Sequence, residues 1–120
     1  MNKCAALTVL LFGCLIASPA AIAYEFLEKR ECTLEFPTRP PVHTTCLIDG
    51  GMQGGSIDVS IKTPDGKKYP LEGPIDGEEG SIYLLQHKRA KEVSTEDDPR
   101  GTCYARNDGK LTICLGNKVD

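Results

Sequence analysis

Thr102-Cys103-Tyr104-Ala105-Arg106-Asn107-Asp108-Gly109-Lys110-Leu111-Thr112-Ile113-Cys114-Leu115 is the stretch whose reading decides the fold. Two runs rich in aromatic and β-branched residues flank an Asp-Gly pair, a strong short hairpin signal because glycine accepts positive φ. The pattern predicts strands over Thr102 to Arg106 and Leu111 to Leu115. A turn centred between Asp108 and Gly109 sets Arg106 opposite Leu111, and therefore Cys103 opposite Cys114. Facing residues at a non-hydrogen-bonded antiparallel position stand roughly 4.5 Å apart at Cα, within reach of a disulfide.

Working outward, no later segment carries a helical period, whereas short alternating runs recur between Gly, Pro, Asn and Asp clusters. Glu31 to Phe36 places Cys32, Leu34 and Phe36 on one face, and Val42 to Ile48 follows a bend over Pro37-Thr38-Arg39-Pro40-Pro41. Proline lacks the ladder donor, so that bend ends the pairing. Centring it on Arg39 pairs Phe36 with Val42 and Cys32 with Cys46. Asp49 to Gly55 reads as a flexible glycine-rich loop before Ser56 to Lys62, whose Ile57, Val59 and Ile61 point inward. Thr63-Pro64-Asp65-Gly66 is a turn with preset proline φ and a left-handed glycine, returning the chain into Lys68 to Glu72. Pro70 marks that strand as an edge.

Gly73 to Gly80 is an acidic loop, and Ser81 to Gln86, with Ile82, Tyr83, Leu84 and Leu85, is apolar enough for a central strand covered on both faces. Ala90 to Ser94 is its expected neighbour, and Thr95 to Gly101 the longest exposed excursion. The expected fold is all-β: one small antiparallel barrel or flattened sandwich of about eight strands with two hairpin disulfides.

The N-terminus fixes the expected compartment. Met1 to Ala23 carries one positive charge, Lys3, an apolar run from Ala5 to Ile16, and Ala21-Ile22-Ala23, the small-x-small pattern of a signal-peptidase site. Cleavage there starts the mature chain at Tyr24 and leaves a single domain over residues 24–120. A minor alternative is lipidation at Cys14, since Leu11-Phe12-Gly13-Cys14 matches a lipobox loosely. The apolar run is shorter than the ~20 residues of a spanning helix, and Ser18-Pro19 interrupts it, so no transmembrane segment is expected. Loss of Cys4 and Cys14 leaves Cys32, Cys46, Cys103 and Cys114, an even set outside the reducing cytosol. Four cysteines permit three connectivities, of which the hairpin registers favour Cys32–Cys46 with Cys103–Cys114.

Charge and motifs exclude more than they name. A net charge of −3, with acids and bases interspersed along the chain, does not fit a nucleic-acid binder. His87-Lys88-Arg89-Ala90-Lys91 reads as a solvated turn and strand edge, and Glu96-Asp97-Asp98 as a plain loop without the spaced oxygen ligands of a calcium site. With every thiol paired and no Cys-x-x-Cys, neither a cysteine nucleophile nor a zinc site is indicated, and His43 and His87 lie away from ligand spacing. Ser56 does not complete Gly-x-Ser-x-Gly because Asp58 stands last. Glu78-Glu79, adjacent acids in a glycine loop, read as hydrated rather than as an acid–base pair. No cofactor, metal or catalytic group is expected, which leaves binding surfaces, with Tyr83 and Tyr104 packing in the core and their hydroxyls at its rim.

Asp65-Gly66-Lys67-Lys68-Tyr69, followed by Tyr83-Leu84-Leu85-Gln86-His87-Lys88-Arg89-Ala90, resembles the periplasmic and membrane-bound inhibitors of c-type lysozyme. That resemblance implies a small exported antiparallel barrel whose inhibitory loop carries a small residue, then glycine, then tyrosine, with a basic residue in a second segment. On the matching positions stand Asp65, Gly66, Tyr69 and Lys88, the residues it assigns to partner binding. Asp65 occupies the place of the family's serine, and the chain has no tryptophan. The cysteine layout also resembles small exported cysteine-containing proteins of Gram-negative bacteria, a likeness that brings no activity with it. The expected function is therefore non-catalytic: an inhibitor or immunity-type factor against a protein partner in the cell envelope, such as a cationic hydrolase suited to a net negative surface. The alternative is a structural or stress-related envelope component with no enzyme target.

Overall fold

A computed structural model describes residues 23–75, 77 and 80–120. Residues 1–22, which hold Cys4, Cys14 and all of the expected signal segment but Ala23, lie outside them, as does the Glu78-Glu79 pair. Eight strands follow one another around a closed barrel: β1 (Ala23–Phe36), β2 (Arg39–Gln53), β3 (Ser56–Lys62), β4 (Lys68–Pro74), β5 (Tyr83–Leu85), β6 (Lys88–Glu92), β7 (Thr102–Arg106) and β8 (Thr112–Val119). Every neighbouring pair is antiparallel, and β8 closes on β1. Closure removes the exposed sheet edges that an open sandwich would leave.

Alternation along the strands fills the interior. Leu34, Ile48, Val59, Ile61, Tyr69, Leu71, Tyr83, Leu85, Ala90, Leu111 and Ile113 are buried in one cluster that includes Cys32 and Cys46. Tyr83 and Tyr104 meet edge to face with ring centroids 5.0 Å apart, as expected of core tyrosines. Among the described residues no helix is long and apolar enough to cross a membrane.

Both disulfides have the expected connectivity, and the second has the expected register: Cys103 pairs directly with Cys114, their Cα atoms 4.0 Å apart. Two disulfides fit an oxidising compartment outside the cytoplasm. The first hairpin is offset. Its turn is Pro37-Thr38 alone, Phe36 pairs with Arg39, Cys32 stands opposite Thr44 and Cys46 opposite Arg30. Pro40 and Pro41 belong to β2, where a bulge between Leu34 and Phe36 absorbs them. A register shift of two keeps both sulfurs on one face, and the bond forms diagonally across 5.6 Å between Cα atoms.

Three other expectations are corrected. Asp49 to Gln53 is strand, not flexible loop, and only Gly54 and Gly55 turn, at φ of 61° and 85°. The long β2 survives its glycines because Gly50 has to be small: a Cβ there would lie 2.3 Å from the Asp58 carbonyl oxygen. Ser81 to Gln86 shortens to the three-residue β5, because only Tyr83 and Leu85 face inward while Ile82 is 55% exposed. Its neighbour β6 starts at Lys88, immediately after a turn at Gln86 and His87, both at positive φ. Pro70 lies where the β4–β5 ladder gives out beyond Leu71, and its carbonyl accepts the Gln86 N–H at 2.8 Å.

The segment of residues 93–101 is not a free excursion. Cys103 and Cys114 are fully buried although they alternate with the inward-facing Tyr104 and Ile113, so their sulfurs lie on the outside of the barrel. The segment covers them there as a strap. Val93 N–H donates to the Cys103 carbonyl at 2.9 Å, and Arg100 pairs with Asp98 inside the strap and ties it to Glu35 on β1.

Candidate functional site

An up-and-down barrel puts alternate connections at the same end. The turns joining β1–β2, β3–β4, β5–β6 and β7–β8 therefore share one end, and the glycine turn, the longer loops and the C-terminus the other. The turn end concentrates bases that the sequence scatters. Arg39, Lys67, Lys68, Lys88, Arg89 and Lys110 are exposed there, and among the described residues none of them makes an ion pair. The acids at this end are already engaged: Asp65 by its own turn, Asp108 by Arg106, and Glu35 by Arg100. Toward the other end Glu25, Asp49, Asp58 and Glu72 line a shallow depression around Gly50 and Gly51.

The β3–β4 turn is built from its own side chains. Gly66 N–H donates to the Thr63 carbonyl at 2.9 Å, and Thr63 N–H to the Lys67 carbonyl at 3.0 Å. The Thr63 hydroxyl donates to Asp65 Oδ1, which also accepts the Lys67 N–H at 3.2 Å. These donors hold the Asp65 carboxyl below the usual carboxylate range. Gly66, at φ 88° with open space around it, lets the chain reverse.

The turn rests against an overhang. The last residue of β2 paired to β3 is Leu47, opposite Lys62, so β2 continues from Cys46 back to Arg39 with β1 as its only ladder partner. Between overhang and turn opens a cleft of about 250 Å³, with Leu34, Phe36, Val42 and Tyr69 among its apolar lining and Arg39, Asp65 and Lys67 among its polar lining. Arg39 stacks on Phe36, its guanidinium carbon 3.9 Å from the ring centroid. Tyr69 is buried in the floor, and burial followed by the Asp65 charge raises its pKa while Arg39 opposes the rise. Both charges thus act on that phenol from the lips of the cleft.

Of the four residues assigned to partner binding, Asp65 and Tyr69 line this cleft and Gly66 shapes the turn beside it. Lys88 opens β6 at the same end but does not line the cleft. Sequence reasoning missed Arg39, which served only as the centre of a bend, together with Phe36 and Val42. No local signal could have found them, because the unequal strand lengths of β2 and β3 bring residues 36–44 over residues 63–69. His43 is exposed on β2, its Nδ1 3.1 Å from the Thr33 hydroxyl. Among the described residues no group of three or more His, Cys, Asp or Glu could hold a metal ion. Chemically, the cleft offers an apolar floor, an unpaired cation and a fixed carboxylate. No protein-family model, curated protein or solved structure matches the chain.

Proposed function

We propose that the chain, cut after Ala23 and exported to the periplasm or beyond, acts as a non-catalytic inhibitor or immunity-type factor that engages a protein partner through its turn end. The observation that supports this reading most is the Thr63–Lys67 turn, whose backbone and side-chain bonds are complete within the turn itself. A loop already in its final shape loses little conformational entropy on docking, and a disulfide-pinned barrel holds it rigidly. The eight-stranded antiparallel barrel is also the architecture that the resemblance to c-type lysozyme inhibitors implies. A glycoside hydrolase is a fitting partner, since its reacting groups are a pair of carboxylates in a cleft and the turn end carries unpaired bases. The acidic far end supplies attraction for a partner that is cationic as a whole.

Immobilised mature, oxidised protein incubated with periplasmic extract, alongside titration against c-type lysozyme, tests the reading. Stoichiometric capture of a hydrolase with matching loss of its activity is the expected result. Recovery of envelope polymer alone would replace the inhibitor with a structural envelope component, and turnover lost on substituting one carboxylate would make the protein an enzyme.

A further inference from the structure

We infer that the cleft between the β2 overhang and the β3–β4 turn receives the carboxy-terminal residue of a polypeptide, a large apolar side chain on the floor and its α-carboxylate on Arg39. This deepens the proposed function by giving the turn end a receptor pocket, and it rests on the reading that the partner is a protein.

The volume sets the size of the guest. A cleft of about 250 Å³ falls below the roughly 300–1,000 Å³ of pockets that enclose whole small ligands, so it suits one side chain. Leu34, Phe36, Val42 and Tyr69 make its lining apolar, and Val42, 42% exposed, leaves the entrance partly apolar too.

Charge chooses what accompanies that side chain. Arg39 makes no ion pair among the described residues, and stacking on Phe36 holds its guanidinium near the lip. A planar guanidinium offers paired donors that match a carboxylate. Lys67 lies on the same rim, and the other unpaired bases of the turn end add a field that draws an anion in. Asp65 keeps its negative charge, with its Oδ1 turned into its own turn by Thr63 and Lys67, and the two bases of the lining, Arg39 and Lys67, outnumber it. The buried Tyr69 phenol feels both Arg39 and Asp65, so cation and apolar floor lie close together. Such proximity fits a guest that carries both groups on one residue, as a chain terminus does.

The test uses mature, oxidised, isotope-labelled protein and three probes: N-acetylglycylphenylalanine with a free carboxylate, its carboxamide, and N-acetylglycylglycine. The free acid should shift the amides of Leu34, Arg39, Lys67 and Tyr69 saturably. The carboxamide should bind at least tenfold more weakly, and the glycine probe should leave these amides unmoved. Arg39→Ala, and separately Lys67→Gln, should shrink the difference between acid and amide without altering the rest of the amide spectrum. Equal binding of acid and amide, shifts centred elsewhere, or no shift at the solubility limit of the acid would overturn the inference. Capture of a protein partner from extract at undiminished yield by Arg39→Ala would overturn it too, while leaving the inhibitor reading intact. Probe binding without any captured protein would instead remove the inhibitor reading.

Discussion

Arg100 Nη1 lies 2.6 Å from Glu35 Oε2, joining the strap of residues 93–101 to β1 across 65 positions of sequence. The same guanidinium holds Asp98 through Nε and Nη2, at 3.0 and 2.8 Å. Asp98 Oδ2 in turn lies 3.9 Å from the Cys103 sulfur. One side chain thus fastens the cover over the outer disulfide, whereas Cys32–Cys46 is enclosed by the barrel.

Loosening that fastening should expose the outer disulfide first. Arg100→Ala is expected to lower global stability by no more than about 1 kcal/mol, because the Arg100–Glu35 pair is one-third exposed and screened. It should nevertheless speed amide exchange over residues 93–101 and make Cys103–Cys114 reducible before Cys32–Cys46. Thiol trapping under limiting reductant with mass mapping reads the order. Unchanged reduction rates in the variant would mean that the strap does not protect the bond.

Acid should weaken the turns and the strap together. Arg100 holds the Asp98 carboxyl below its ordinary value, as Thr63 and Lys67 do for Asp65 and Arg106 for Asp108. For each, the unfolded chain binds the proton at higher pH than the folded one. Their stabilisation is therefore complete above about pH 4–5 and is lost as pH falls through the depressed folded values. Melting temperature followed against pH should drop on that limb, and less steeply in Asp98→Asn.

Alkali acts with the opposite sign. Burial, then the neighbouring Tyr83 and Glu92, pushes the Tyr104 phenol up to about 12. Its neutral form is preferred in the folded barrel, so its contribution, on the order of 3 kcal/mol, is whole below pH ~10 and is lost as pH rises through the folded value. Ultraviolet titration of tyrosinate should show a late step that Tyr104→Phe removes.

Packing at Gly50 should be less forgiving than at the turn. A methyl group there meets the Asp58 carbonyl oxygen at 2.3 Å and Val59 Cα at 2.6 Å, both backbone atoms that cannot swing aside. Gly50→Ala is expected to cost roughly 1–3 kcal/mol or more. Gly54→Ala has open space around it and bears only the strain of its φ of 61°, about 1 kcal/mol. Denaturant midpoints of the two variants give the comparison, and equal losses would contradict it.

Either disulfide should matter at a scale comparable with the stability of so small a domain. The bridges close sequence separations of 14 and 11 residues, for which restriction of the unfolded chain contributes on the order of 3 kcal/mol each. Replacing Cys32 and Cys46 together by alanine should cost more than replacing Cys103 and Cys114, since only the former pair also empties volume in the core cluster. Urea unfolding of the two double variants ranks them.

The sequence by itself determined the class of fold, the hairpin of Cys103 and Cys114, and the turn at Asp65-Gly66, because alternation and turn chemistry act over a few neighbouring residues. It also determined which cysteines pair, since a register error of two still leaves both sulfurs on one face. Only the tertiary structure decided the rest. The bulge at Pro40-Pro41, opposite Glu35, set the first hairpin's register, closure of β8 on β1 chose barrel over sandwich, and alternate turns collected distant bases at one end. Arg39 came to face Tyr69 and Asp65 because β2 outruns β3, a difference in strand length that is settled when neighbouring strands pair and that no stretch of the chain carries alone.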